Sequence, residues 1–242
     1  MRLWTPFSLL LGLASLASTP TLAASLQATP MLFELSQAKA TDTLTLRNEG
    51  AAPINAQVRV YRWTQANGAD KMEITQDVVA SPPVVTIAPG ADQLIRVVRV
   101  SKHPVKAEDT YRIVVDELPD NAPAKSTSVN FLFQYSIPMF VMPDSAAKSN
   151  VSWALEKQGE KTYIVAHNDG DRRLRIGGLT LTTADGKEVV LGKGLNGYVL
   201  ARSHMRWAVP NSLWNTKAVT VTARSDEGPV NAHAEAQVGD RR

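Results

Sequence analysis

The chain contains no cysteine. Disulfides, thiolate metal sites and cysteine nucleophiles are thereby excluded. Histidine is scarce too: His103, His167, His204 and His233 each stand alone, none in an HExxH pattern. Neither a GxSxG elbow nor a GxxxxGKS/T phosphate loop occurs. The sequence carries none of these catalytic or metal-binding motifs, no cofactor is expected, and it does not read as an enzyme. A dominant charge is missing as well, since 26 Lys and Arg face 23 Asp and Glu for a net +3. Aromatic residues make up 6% of the chain, and none interleaves with the tight basic cluster Arg172, Arg173 and Arg175. A nucleic-acid surface is therefore not expected. The cluster follows Asn168-Asp169-Gly170-Asp171 and reads as solvated turn charge.

Long apolar runs are confined to the N-terminus. Met1-Arg2 is followed by an apolar run from Phe7 to Ala17, too short to span a bilayer. Small residues at Thr21 and Ala23 fit cleavage after Ala23, with Ala24 a close alternative. Residues 1–23 are read as a signal peptide, and the chain as exported. No later stretch approaches about 18 uninterrupted apolar residues, so the remainder is not expected to be membrane-embedded. An exported chain without disulfides depends on burial for its stability. The 219 residues left when 23 of 242 are removed suffice for two modest cores.

What is present is the punctuation of an all-β protein. Turn signals at Asn48-Glu49-Gly50, Asn67-Gly68 and Pro89-Gly90 separate alternating or β-branched runs, among them Val84–Ile87, Leu94–Val100 and Tyr111–Val115. A polar loop runs from Asp120 to Ser126. Residues 144–150 read as a linker, after which strand patterns resume at 151–156, 162–166, 174–182, 188–191, 198–200, 205–209 and 218–223. The tail from Asp226, rich in Gly, Ala and charge, reads as a fraying end. Strand spacing of this kind suits two β-sandwiches, one over 24–143 and one over 151–242.

Residues 127–143, TSVNFLFQYSIPMFVMP, stand out. Val129, Phe131, Phe133, Tyr135, Ile137, Met139 and Val141 occupy every second position and so share one strand face. The other face starts polar at Asn130 and Gln134 and turns apolar at Phe140 and Met142. Such a strand is either an ordinary long core strand or an edge that binds another chain by strand addition. Two further readings compete with binding of a chain. Trp207, Trp214 or Tyr198 could stack on a sugar in a carbohydrate-binding module. Asp109, Asp116, Glu117 and Asp120 could serve a hydrolase, although solvated loop charge is the commoner fate of such residues.

Several short motifs, taken in order, resemble the periplasmic chaperones of the chaperone–usher pilus pathway, the PapD-like family. They are Ser25-Leu26, Leu46-Arg47-Asn48, Ser81-Pro82-Pro83, Ile87-x-Pro89-Gly90-x-x-Gln93-x-Ile95-Arg96, Tyr111-Arg112 with Asp116-Glu117-Leu118-Pro119, and Ile137-Pro138-Met139-Phe140-Val141-x-Pro143. Trp153-x-Leu155, Asn168-x-Gly170 and Tyr198-Val199-Leu200 before Arg206-Trp207 continue the match. The resemblance implies two immunoglobulin-like β-sandwich domains, a periplasmic location and no cofactor. Its implied partners are pilin or fimbrial subunits and an outer-membrane usher. It further implies donor-strand complementation, in which Val129, Phe131 and Phe133, extended by Tyr135 and Ile137, fill a subunit's missing core positions. A strand exposed in this way could also cap itself in a homo-oligomer when no subunit is bound.

One departure touches the subunit's C-terminal carboxylate. The better-known members hold it between an Arg and a Lys, and the matching positions here are Pro30 and Pro138. Proline offers neither charge nor N–H donor. This feature resembles the archaic branch of the family. Arg96, Arg99 and Arg112 are the candidate replacements, with solvated surface charge as the alternative for each.

Overall fold

The structure is a computed structural model that describes residues 26–119 and 132–237. The expected signal peptide, Val129, Phe131 and Asp120 lie outside the described residues. Ten strands come from the first half of the chain: β1 (Leu26–Thr29), β2 (Phe33–Ser36), β3 (Thr41–Asn48), β4 (Ile54–Ala66), β5 (Ala69–Ile74), β6 (Val78–Ser81), β7 (Val84–Ile87), β8 (Asp92–Arg99), β9 (Asp109–Leu118) and β10 (Gln134–Met142). They form a four-stranded sheet, β1-β3-β8-β6, and a six-stranded sheet, β2-β10-β9-β4-β5 with β7 beside β4. Period-two alternation aims Leu44, Leu46, Ile95 and Val97 of one sheet at Phe33, Ile113, Val115, Ile137, Met139 and Val141 of the other.

Eight more strands follow: β11 (Val151–Gln158), β12 (Lys161–Asn168), β13 (Leu174–Thr182), β14 (Glu188–Val190), β15 (Leu195–Val199), β16 (Ser203–Val209), β17 (Ala218–Ser225) and β18 (Gly228–Gln237). Their order is β14-β13-β17-β18-β11-β12-β16 with β15 beside β13, enclosing a second core around Leu155, Ile164, Leu179, Leu181 and Val221. A single 3₁₀ turn, Asn211–Thr216, is the only helical element among the described residues. The tail from Asp226 departs from expectation. It forms β18, which pairs with β17 along its length and with β11 on the other side, with Ala234 fully buried.

Buried asparagines shape corresponding corners of the two halves. Asn48 donates to the carbonyls of Ala52 and Ile87 and accepts from Gly50 N–H at 2.8 Å. Asn168 donates to the carbonyls of Arg172, Val199 and Leu200 and accepts from Asn150 and Gly170 N–H. A Cβ on Gly170 would lie 2.3 Å from the Lys148 carbonyl, so only glycine fits there. The segment 143–150 has no strand, and it is tied down by Asp171 N–H on the Lys148 carbonyl and Asp169 N–H on the Asn150 carbonyl.

Arg173 also departs from expectation. It is not solvated turn charge but a buried clamp, 3% exposed. Its guanidinium lies 3.6 Å from the Phe140 ring centre and reaches Glu108 and Glu34, each at 2.5 Å. Glu108 and Glu34 belong to the first half of the chain and Arg173 to the second, so the contact joins them. Burial pushes the Glu108 carboxyl above its ordinary range, and Arg173 only partly offsets that. Replacing Arg173 by Ala strands Glu108 in the interior and is expected to cost about 3–5 kcal/mol. Glu34→Ala removes a half-exposed partner and should cost about 1 kcal/mol or less. Denaturant midpoints of the two variants test this order.

Candidate functional site

β10 is paired unevenly. Along one side it runs antiparallel to β9, from Gln134 opposite Asp116 to Val141 opposite Asp109. On its other side β2 covers only Met139 to Met142. Gln134 to Ile137 therefore have an open edge among the described residues. Glu117 N–H donates to the Phe133 carbonyl at 2.9 Å, which makes Phe133 and Glu117 a bonded pair. By the period of two, Tyr135 and Ile137 also bond toward β9, and the backbone of Gln134 and Ser136 faces the open edge, while buried Pro138 lies where β2 begins. Pro138 thus sits where its missing N–H removes no ladder bond to β9.

The side chains change role along the strand. Ile137, Met139 and Val141 are fully buried in the protein's own core. Ile137, expected to extend the subunit-contacting set, thus lies inside the protein's own core in the free chain. Tyr135 is half-buried against the same core, and its hydroxyl donates to the Leu26 carbonyl at 2.5 Å. Phe133 remains partly exposed beside the open edge. On the opposite face Phe140 packs with Trp63, Tyr198 and Leu200 in a separate cluster, Trp63 meeting Tyr198 edge-on at 5.5 Å. This cluster explains why that face of the strand turns apolar at its C-terminal end.

The three candidate arginines are not brought together. Arg96 and Arg99 lie on β8 in the four-stranded sheet, and Arg112 lies on β9 in the six-stranded sheet. Arg96 is exposed. Arg99 is buried and donates to the His103 carbonyl at 2.5 Å. Arg112 stands directly opposite Pro138 in register, with its guanidinium 3.8 Å from the Trp63 ring centre and 6.0 Å from that of Tyr198. It donates to the Ser136 carbonyl at 3.3 Å, and no carboxylate among the described residues forms an ion pair with it. Burial pulls its pKa below the usual arginine value.

The described residues of the competing sites are engaged within the fold. Asp116 is bound by Arg59 at 2.6 Å and by Gln134, and Asp109 by Arg62 at 2.6 Å. Glu117 accepts from the Phe133 N–H. Trp207 stacks on Trp153 at 5.9 Å, donates to the Asn196 carbonyl and packs on the second core. Tyr198 belongs to the Trp63 cluster, and Trp214 lies half-buried in the 3₁₀ turn. No metal-holding group of His, Asp or Glu occurs among the described residues.

The family model described as pili and flagellar-assembly chaperone, PapD N-terminal domain, matches residues 25–147. The chain belongs to this chaperone family. Solved chaperones share its fold. The CsuC chaperone in complex with the CsuE tip adhesion subunit, from the archaic Csu pili of Acinetobacter baumannii, is 24% identical, with 90% of this chain and 100% of that chain covered and a TM-score of 0.70. The SafB chaperone with SafA pilin of Salmonella enterica is 16% identical (89% and 98% covered, TM-score 0.60). The Escherichia coli chaperone DraB is 22% identical (88% and 98% covered, TM-score 0.58). No curated protein matches the chain in sequence. These likenesses establish the PapD-like architecture of two β-sandwich domains, and the family is one of chaperones rather than enzymes.

Within this chaperone fold the Tyr135 hydroxyl ties the half-open strand β10 to β1. Tyr135→Phe should leave the Leu26 carbonyl without its partner and cost about 1 kcal/mol. A thermal midpoint unchanged from wild type would contradict that role.

Proposed function

We propose that the chain is a periplasmic chaperone that captures pilin or fimbrial subunits by donor-strand complementation and delivers them to an outer-membrane usher. The observation that carries this reading is the open edge of β10 from Gln134 to Ile137, next to a side-chain face that continues outward from the core through Tyr135 and Phe133. A subunit strand laid along that edge takes up the outward backbone groups of Gln134 and Ser136. Phe133, with Phe131 and Val129 beyond it, fills apolar positions of the subunit. Each such side chain, fully buried, contributes roughly 1.5–3 kcal/mol before ordering costs. The pairing of CsuC with a tip subunit and of SafB with a pilin supports the same occupant here.

Arg112 is the anchor for the subunit's C-terminal carboxylate in this reading. It is a half-buried cation without an acid partner among the described residues, and it faces Pro138, the position where the resemblance places a basic residue in other members. Stacking on Trp63 holds the guanidinium in place and lets it meet a carboxylate with both nitrogens. Arg99 is already engaged by a carbonyl, and Arg96 points from the other sheet. Release needs no nucleotide site, because the next subunit's own strand can displace the chaperone strand and complete the subunit fold.

Co-purification of a candidate pilin from periplasm tests both parts. Phe133→Asp places a charge in the subunit's apolar groove and should reduce the captured pilin by about tenfold or more, since each 1.4 kcal/mol is a factor of ten. Arg112→Ala should reduce capture, Arg96→Ala should not, and a pilin with an amidated or extended C-terminus should lose sensitivity to Arg112. Full capture by folded Phe133→Asp would refute the donor-strand role.

A further inference from the structure

We infer that β5 is a second association edge, through which two copies of the chain pair antiparallel about a two-fold axis. β5 is paired only with β4. Its other edge is open among the described residues, and all six of its side chains are exposed, Met72 at 54% and Ile74 at 88%. Ile74 is thus an apolar side chain left almost wholly in water on an unpaired strand, the arrangement that favours pairing with another chain.

The turn fixes which groups face outward. Asn67 and Gly68 have φ of 55° and 71°, a two-residue hairpin turn closed by Ala66 and Ala69. Ala66 and Ala69 are then a bonded pair, and so by period two are Thr64 with Lys71 and Arg62 with Glu73. The backbone groups of Asp70, Met72 and Ile74 are left for a partner strand.

Lys71, Met72 and Glu73 are complementary to their own copy. With Met72 set opposite Met72 of the second copy, the outward backbone groups of each strand meet in bonded pairs. Lys71 then falls opposite Glu73 of the second copy, and Glu73 opposite its Lys71. These are the non-bonded positions, where cross-strand side chains come closest. Lys71 and Glu73 already bridge each other within the strand at 2.8 Å, so pairing joins two bridges into one alternating array. On the other face Met72 meets its own copy beside Trp63, while Ile74, beside Tyr61, falls opposite Asp70 of the second copy, over the aliphatic base of its side chain. A shift of two residues in register would instead set Lys71 opposite Lys71, so charge selects this register. The contact is isologous and closes at two copies. β9 and β4 separate β5 from β10 in the sheet, so both copies keep their open edge from Gln134 to Ile137.

Sedimentation of the chain lacking its signal peptide, over a concentration series at low and high salt, tests the inference. The expected result is a concentration-dependent doubling of mass that salt weakens. Glu73→Lys should weaken association about tenfold or more, and Lys71→Glu combined with Glu73→Lys should restore it. Phe133→Asp should leave it unchanged. Met72→Pro, which removes an outward N–H at an exposed position, should abolish it while a thermal melt reports the fold. A mass that stays single at all concentrations would overturn the inference. So would failure of the double exchange to restore pairing, or loss of the dimer on Phe133→Asp in place of Glu73→Lys.

Discussion

The second half of β10 is buried on both faces, and most of the architecture depends on that. Ile137, Met139 and Val141 close the first core, while Phe140 on the other face receives Trp63, Tyr198 and the Arg173 guanidinium. The strand is thereby clamped at one end between two sheets and the second domain. Its first residues, from Gln134 to Ser136, are paired with β9 alone. An edge that is open but fixed in direction pairs with an incoming strand at lower ordering cost than a loose segment would. The stability of the two-domain frame and the readiness of the open edge therefore have one origin.

Two arginines sit on this aromatic cluster and do different things. Arg173 lies over Phe140 and is matched by Glu108 and Glu34, so its charge is neutralised inside the protein. Arg112 lies over Trp63 and has no such match among the described residues. The rings are neighbours, with Trp63 and Phe140 6.0 Å apart. One cation holds the domains together and the other is left able to accept an anion from outside. Burying an arginine without an acid is costly, and stacking on an indole offsets part of that cost.

Much of this was legible in the sequence, and the exceptions have physical reasons. The alternation from Phe133 to Val141 marked β10, and the apolar turn of its second face at Phe140 announced a second contact. Sequence could not say that Ile137 would be consumed by the protein's own core, because alternation identifies a face without identifying what covers it. β18 escaped notice because its inward positions carry Val230, Ala232, Ala234 and Ala236, which alternate correctly but carry too little bulk to stand out beside Gly and charge. Arg173 looked like turn charge because Glu34 and Glu108, its partners, are supplied by distant segments. Arg96, Arg99 and Arg112 are close in sequence, yet the chain crosses from one sheet to the other between β8 and β9, and the crossing separates them.

The central claim is that the outward amide edge of β10 receives a strand of the captured subunit. Amide hydrogen exchange at Gln134 and Ser136, compared between the free chain and its complex with a pilin, tests it most directly. The account predicts that both amides exchange readily in the free chain and become strongly protected in the complex, while Tyr135 and Ile137, already bonded to β9, change little. Equal exchange of Gln134 and Ser136 in the two states, with the pilin bound, would contradict it.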